Sequence, residues 1–167
     1  MKFDAKLKKE YVNKLTEFHL SVFSKEKFIE ESLFNLMVEI TVKTGFEVCA
    51  VLSRKGVVLD LFVGDKNSVE VNTLIKQTKL LNGLRVIHTH PNGDSTLSEM
   101  DLSFLINNRF DCVCAIGVNH EGPTSATVGY YNIEKPEIVN IKDARYINKL
   151  GLMDKVLEVA KLHRESV

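Results

Sequence analysis

Residues 88–101, HTHPNGDSTLSEMD, gather the side chains of this 167-residue chain best suited to chemistry. Two histidines stand one residue apart, His88 and His90, and a serine and an aspartate three apart follow, Ser98 and Asp101. Alternate side chains of a strand share a face, so the two imidazoles project together while Thr89 turns away. Pro91 cannot extend a hydrogen-bonded ladder, and Asn92, Gly93 and Asp94 are turn formers, so the strand ends at His90. Ser98-Glu99-Met100-Asp101 ahead of an apolar helical run reads as a capping box with aspartate at its third helical position, which puts Asp101 in a first helical turn. A strand end and a helix start joined by a short loop can bring His88, His90 and Asp101 to one point. Two nitrogens, one oxygen and an open fourth position describe a catalytic zinc site better than a closed structural one. The same residues also have a plain structural use, Ser98 and Asp101 as helix caps and the histidines on a polar sheet face. That alternative suits two histidines alone, but their combination with serine and aspartate at these spacings is rare on average amino-acid usage.

The elements that must position these residues are read from the period of the apolar positions. Leu7, Tyr11, Leu15 and Phe18 recur every three or four residues, and so do Phe28, Ile29, Leu33, Leu36, Met37 and Ile40, which predicts two amphipathic helices. Ser24 is the expected N-cap of the second, and Gly45 its left-handed C-terminal residue. The period then changes, and FEVCAVLS and VVLDLFVG, split by Arg54, Lys55 and Gly56, read as a β-hairpin. LRVIHTH is a strand, LSEMDLSFLINN a helix, DCVCAIGVN a largely buried strand and SATVGYYN its partner across the HEGP turn. Residues 133–143, IEKPEIVNIKD, read as a connector, and helical period returns from Asp143 to His163. The predicted fold class is α/β (α+β), a mixed central β-sheet flanked by helices. Residues 1–132 form a metal-binding domain with the N-terminal helices, and residues 133–167 a connector and C-terminal helix.

Composition narrows the function classes. Hydrophobic residues at 44% and charged residues at 26% are ordinary for one globular domain of this length. Basic and acidic residues balance at 22 each, so no global field draws the protein to nucleic acid or to an anionic membrane. The first residues, MKFDAKLKKEYV, lack the apolar run of a signal peptide and no stretch approaches a membrane span, which points to the cytoplasm. Cys49, Cys112 and Cys114 lie in apolar strand-like stretches, as reduced core residues would. Gly117 to Thr124 has the glycine spacing of a phosphate loop, but Pro123 stands where a lysine must meet phosphate, so it reads as a hairpin turn.

His88, His90, Ser98 and Asp101 match the pattern H-x-H-x(7)-S-x-x-D, and through it the chain resembles the JAMM (MPN+) metallohydrolases. HTHPNGDSTLS is similar to the corresponding stretch of the bacterial RadC proteins. The resemblance implies a JAMM/MPN-like, cytidine-deaminase-like sandwich over roughly residues 45–131, with a further glutamate on an earlier strand. Glu47, opening EVCAVL, stands in that place, whereas Glu39 falls within a helix, Asp60 lies far along the second strand and Glu70 sits in a loop-like segment. A wider likeness, carried by SRKGVV, FVGDKNSVEV, LNGLRVIHTHPNG, LSEMD and NNRFDCVCAIGVN, is to the N-terminal extension of clostridial HflX-type GTPases. It implies either the front domain of a ribosome-associated GTPase, with the attached GTPase domain and the ribosome as partners, or a freestanding relative.

By this resemblance Zn2+ is held by His88, His90 and Asp101, Glu47 is the general base and Ser98 donates to the oxyanion. The implied activity is hydrolysis of an amide or isopeptide bond in a peptide or isopeptide-linked protein substrate. The span from Gly64 to Leu84 offers no second histidine or cysteine cluster of the kind some deubiquitinating relatives use, so the substrate stays open. Nucleobase deamination needs a P-C-x-x-C element, and Cys112-x-Cys114 has neither the spacing nor the proline. The alternative class is a non-catalytic, metal-retaining regulatory or docking domain of such a GTPase. His19, His120 and His163 are expected at the solvent surface, and an exposed strand edge or the terminal helices could pair chains into an oligomer.

Overall fold

The computed structural model describes residues 1–64, 83–132 and 135–165, with the side chains of all of these except 163–165. Among these described residues seven strands form one mixed sheet in the order β1-β3-β2-β4-β5-β6-β7. They are β1 (Lys2–Phe3), β2 (Glu47–Leu52), β3 (Val58–Gly64), β4 (Arg85–His90), β5 (Cys112–Asn119), β6 (Gly122–Tyr130) and β7 (Glu137–Ile141). Four α-helices accompany them among the described residues: α1 (Lys9–Phe18), α2 (Glu31–Thr44), α3 (Glu99–Asn107) and α4 (Leu152–Glu165). The class is the predicted α/β (α+β) one. Strand β4 runs parallel to β5 and antiparallel to β2. Among the described residues no helix is long and apolar enough to cross a membrane.

Each face of the sheet has its own core, because strand side chains alternate. Leu15, Leu33, Met37 and Ile40 from α1 and α2 and Val156 from α4 bury against Val48, Ala50, Ile87 and Cys114 on one face. Leu105 of α3, with Leu97 and Phe110, buries against Cys49, Val51, Val86 and Val113 on the other. Ile87 belongs to the first core and Val86 to the second, so alternation along β4 assigns His88 and His90 to the α3 side and Thr89 to the α2 side. All three cysteines are free and buried, and burial pushes their thiols well up.

The structure departs from the sequence reading where side chains capture backbone. The second helix begins at Glu31, not near Ser24. The Ser24 hydroxyl accepts a bond from the Glu26 N–H at 3.3 Å, while the Asn148 amide holds both the N–H and the carbonyl of Ile29, at 3.0 and 2.7 Å. Phe28 and Ile29 are therefore buried ahead of the helix, and their helical spacing reflects packing alone. At the other end Gly45 takes the expected left-handed conformation, φ 73°, and its N–H bonds the Thr41 carbonyl.

The stretch read as a connector contributes β7, which pairs antiparallel with β6. This edge strand is exposed along most of its length, with Ile141 buried and Ile138 exposed, so its apolar residues do not follow the in-out alternation of a half-buried strand. The short β1 pairs parallel with β3 and was likewise invisible in a charged N-terminal stretch. The sheet thus continues past residue 132, and Ile147, Leu152 and Val156 join the core beneath it. The expected helix from Asp143 is a 3-10 turn at Ala144–Tyr146, then a break at Gly151 with φ 65°, then α4.

One contact shapes the end of β4. The β2–β4 ladder registers Leu52 to Cys49 against Arg85 to His88. The next amide, Val48 N–H, donates to the Thr89 hydroxyl at 2.9 Å, and that hydroxyl also bonds the Thr41 hydroxyl of α2 at 2.7 Å. Thr89 is fully buried, so replacing it with valine leaves a buried N–H and a buried hydroxyl without this partner. Thr89→Val is expected to lower stability by about 2–4 kcal/mol in urea unfolding, and Thr89→Ser, which keeps the hydroxyl, by less than half of that.

Candidate metal centre

Strand β4 presents His88 and His90 toward the N-terminal turn of α3, and that turn is held by the predicted capping box. The Ser98 hydroxyl accepts from the Asp101 N–H at 3.0 Å, and the Asp101 Oδ2 accepts from the Ser98 N–H at 2.9 Å. Tied in this way, the same carboxylate lies with Oδ1 3.4 Å from His88 Nε2 and Oδ2 4.0 Å from His90 Nε2. The capping and ligand uses of Asp101 are compatible because a carboxylate has lone pairs for both.

The loop between β4 and α3 is seated by β5 and β6. Thr124 Oγ1 donates to the Gly93 carbonyl at 2.8 Å. A Cβ on Gly117 would lie 2.6 Å from that same carbonyl, so glycine is required where β5 passes under the loop. The loop in turn orients a ligand, since the Asp94 carbonyl bonds His90 Nδ1 at 2.8 Å. A carbonyl only accepts, so Nδ1 carries the hydrogen and the Nε2 lone pair of a neutral His90 faces inward.

That lone pair lies 2.9 Å from His88 Nε2, which therefore supplies the proton between them. Burial disfavours a charged His88, but the bond to Asp101 and its negative charge, with Glu47 adding to them, outweigh this and raise the pKa. Burial, reinforced by His88, lowers the pKa of His90. For Asp101 burial favours the neutral acid, yet the bond and charge of His88 and the bonds from Ser98 hold the pKa down to about 2.

Two imidazole nitrogens and a carboxylate thus converge on one proton, a point equally suited to a cation. Their ligand atoms all lie within 4.8 Å of one another. A tetrahedral ion bound at about 2 Å sets its donors about 3.3 Å apart; the two Nε2 atoms here are 2.9 Å apart and His88 Nε2 is 3.4 Å from Asp101 Oδ1, while His90 Nε2 is 4.0 Å from the other carboxylate oxygen. His88, His90 and Asp101 can hold a metal ion.

A cavity of about 230 Å³ adjoins the triad, and Glu47 and Ser98 line it together with the three ligands. All five residues selected from the sequence meet at this cavity. Glu47 reaches it because it shares the sheet face of Cys49 and Val51, one alternation beyond the last β2–β4 pair. Of the other acids weighed, Glu39 is exposed on α2, Asp60 pairs with the N-terminal amine at 2.9 Å, and Glu70 lies outside the described residues. His120 is exposed beside Glu121, as expected. His19 is instead half-buried with Nε2 3.2 Å from the Leu59 carbonyl, because the end of α1 packs over β3, and the side chain of His163 lies outside the described ones. Sequence reasoning missed the Asp94 carbonyl, since a backbone acceptor leaves no signature in residue identity.

The shifts set a pH window for the metal-free protein. A lowered Asp101 pKa contributes stability above its ordinary value of 3.8, lost as pH falls toward about 2. A raised His88 pKa contributes stability below 6.5, lost as pH rises through the raised value. In chelator, Asp101→Asn is therefore expected to cost about 2 kcal/mol near pH 5, with the difference from wild type closing toward pH 2 and shrinking on the alkaline side. Urea unfolding across that range reads it. No protein-family model matches the chain, and no curated protein or solved structure matches it.

Proposed function

We propose that the chain is a JAMM-type zinc metallohydrolase that cleaves an amide or isopeptide bond. The observation that carries the reading is the meeting of Glu47, His88, His90, Ser98 and Asp101 around one cavity, with a half-buried carboxylate beside a three-ligand set. Two nitrogens and one carboxylate oxygen form the donor set of a catalytic zinc, held by His88 Nε2, His90 Nε2 and the Asp101 carboxylate. Zinc bound there supplies Lewis acidity, bringing the pKa of water toward neutrality and polarising a carbonyl oxygen.

The chain's own groups do the rest. Glu47, which lines the cavity without belonging to the triad, takes the proton from the attacking water. As the carbon–nitrogen bond breaks, Glu47 returns that proton to the departing nitrogen, and a free acid and amine leave. The Ser98 hydroxyl already accepts from the Asp101 N–H, so its own hydrogen is available for the developing oxyanion. The Asp94 carbonyl keeps His90 in the tautomer whose Nε2 can act as a ligand.

Elemental analysis of tag-free protein tests the centre: about one zinc per chain is expected in wild type and none in a His88→Ala, His90→Ala double variant. Glu47→Gln should retain zinc and lose cleavage by a factor of about 100 or more. Zinc-free wild type after zinc is supplied at neutral pH overturns the metal reading. Undiminished turnover in Glu47→Gln overturns the role of the base.

A further inference from the structure

The cavity beside the triad has two unlike ends. Glu47, Ser98 and the ligands form one end, and Val86 and Val113, paired one alternation before His88 along β4 and β5, floor the other with Phe110, while Phe104 and the exposed Met100 line it from α3. The floor is solid core, since Val86 is 4% exposed, Val113 2% and Phe110 0%. Met100 is 65% exposed, an unbranched apolar side chain standing in solvent at the start of a helix. Packing does not account for it, but a place at the rim of an apolar cleft does, because a flexible thioether adapts to what enters.

A second cavity, across His90, is lined by Pro91, Asn92, Asp94 and Thr96 together with Glu47 and Ser98, and apart from the Pro91 ring has no aliphatic or aromatic hydrocarbon side chain among those described residues. Among the described residues, an apolar group next to the reacting carbonyl finds aliphatic and aromatic side chains on the α3 side. Among the described residues, the titratable groups lining the first cleft are the site's own Glu47, Asp101, His88 and His90. A charged substrate side chain of either sign would bury its charge over Val86, Phe110 and Val113. At about 230 Å³ the cleft is smaller than the roughly 300–1,000 Å³ of pockets for drug-sized ligands. It suits one short side chain.

Resting on the metallohydrolase reading, we propose that this cleft is the acyl-side subsite of the enzyme. It takes an uncharged aliphatic side chain, so the substrates are amides formed by the carboxyl groups of apolar residues, and Val86, Met100, Phe104, Phe110 and Val113 set that preference.

Amino-acid hydroxamates test this without turnover, because the hydroxamate seeks the zinc while its side chain must enter a subsite. Glycine, leucine, glutamate and lysine hydroxamates would be titrated calorimetrically into zinc-loaded protein of measured zinc content. Leucine hydroxamate is expected to bind about tenfold or more tightly than the other three. Met100→Glu alters an exposed residue, so unchanged melting and zinc content are expected, and it should erase the preference for leucine over lysine. The inference is overturned, with the metal centre intact, if zinc is bound and the four probes agree within about twofold, if none binds, or if Met100→Glu leaves the preference unchanged. Wild type that takes up no zinc sinks both this inference and the reading beneath it.

Discussion

The hydroxyl of Thr89 sits where a helix, two strands and the candidate centre meet. It bonds the Thr41 hydroxyl of α2 and accepts the Val48 N–H of β2, and it does so from the residue between the two histidines. A backbone amide buried at the end of a ladder needs an acceptor. Here a side chain provides it, one residue beyond the last β2–β4 pair, and the cavity lined by Glu47 and His90 opens at that end of the two strands. Behind the site the same hydroxyl presents its apolar surroundings with a satisfied polar group, so β4 can carry imidazoles on one face and remain part of a dry core on the other.

The front of the site shows a comparable economy. Asp101 closes the N-terminal turn of α3 and faces both imidazoles with the same carboxylate. His90 is aimed by a loop carbonyl, and that loop rests on Thr124 and on the missing side chain of Gly117. His90 and Asp101 are thus each held by a hydrogen-bond partner outside the triad. A site preorganised in this way loses little conformational freedom when a cation replaces the shared proton, which is the physical content of calling it a candidate metal centre.

What was readable in the sequence follows from periodicity and from residue type. Alternation along LRVIHTH placed both imidazoles on one face, the capping box located Asp101 in a first turn, and Gly45 ended α2 as its type requires. What escaped was decided by contacts between distant segments. Asn148 holds the backbone of Ile29, 119 residues away, and so keeps Phe28 and Ile29 out of α2 despite their helical spacing. Strand β7 carries Ile138, Val139 and Ile141 without the alternation of a half-buried strand, because an edge strand is defined by the neighbour it pairs with.

The sequence alone determined the donor types, their spacing and the faces they occupy, because those depend on local geometry with fixed periods of 2 and 3.6. Tertiary structure decided that Glu47 reaches the same cavity as the triad, that His90 is oriented by the Asp94 carbonyl, and that the space beside them is apolar toward Phe110 and Val113. Those facts depend on which strands lie side by side and on what packs beneath a loop. No local pattern encodes such distances, because they are set by burying the two faces of one sheet at once.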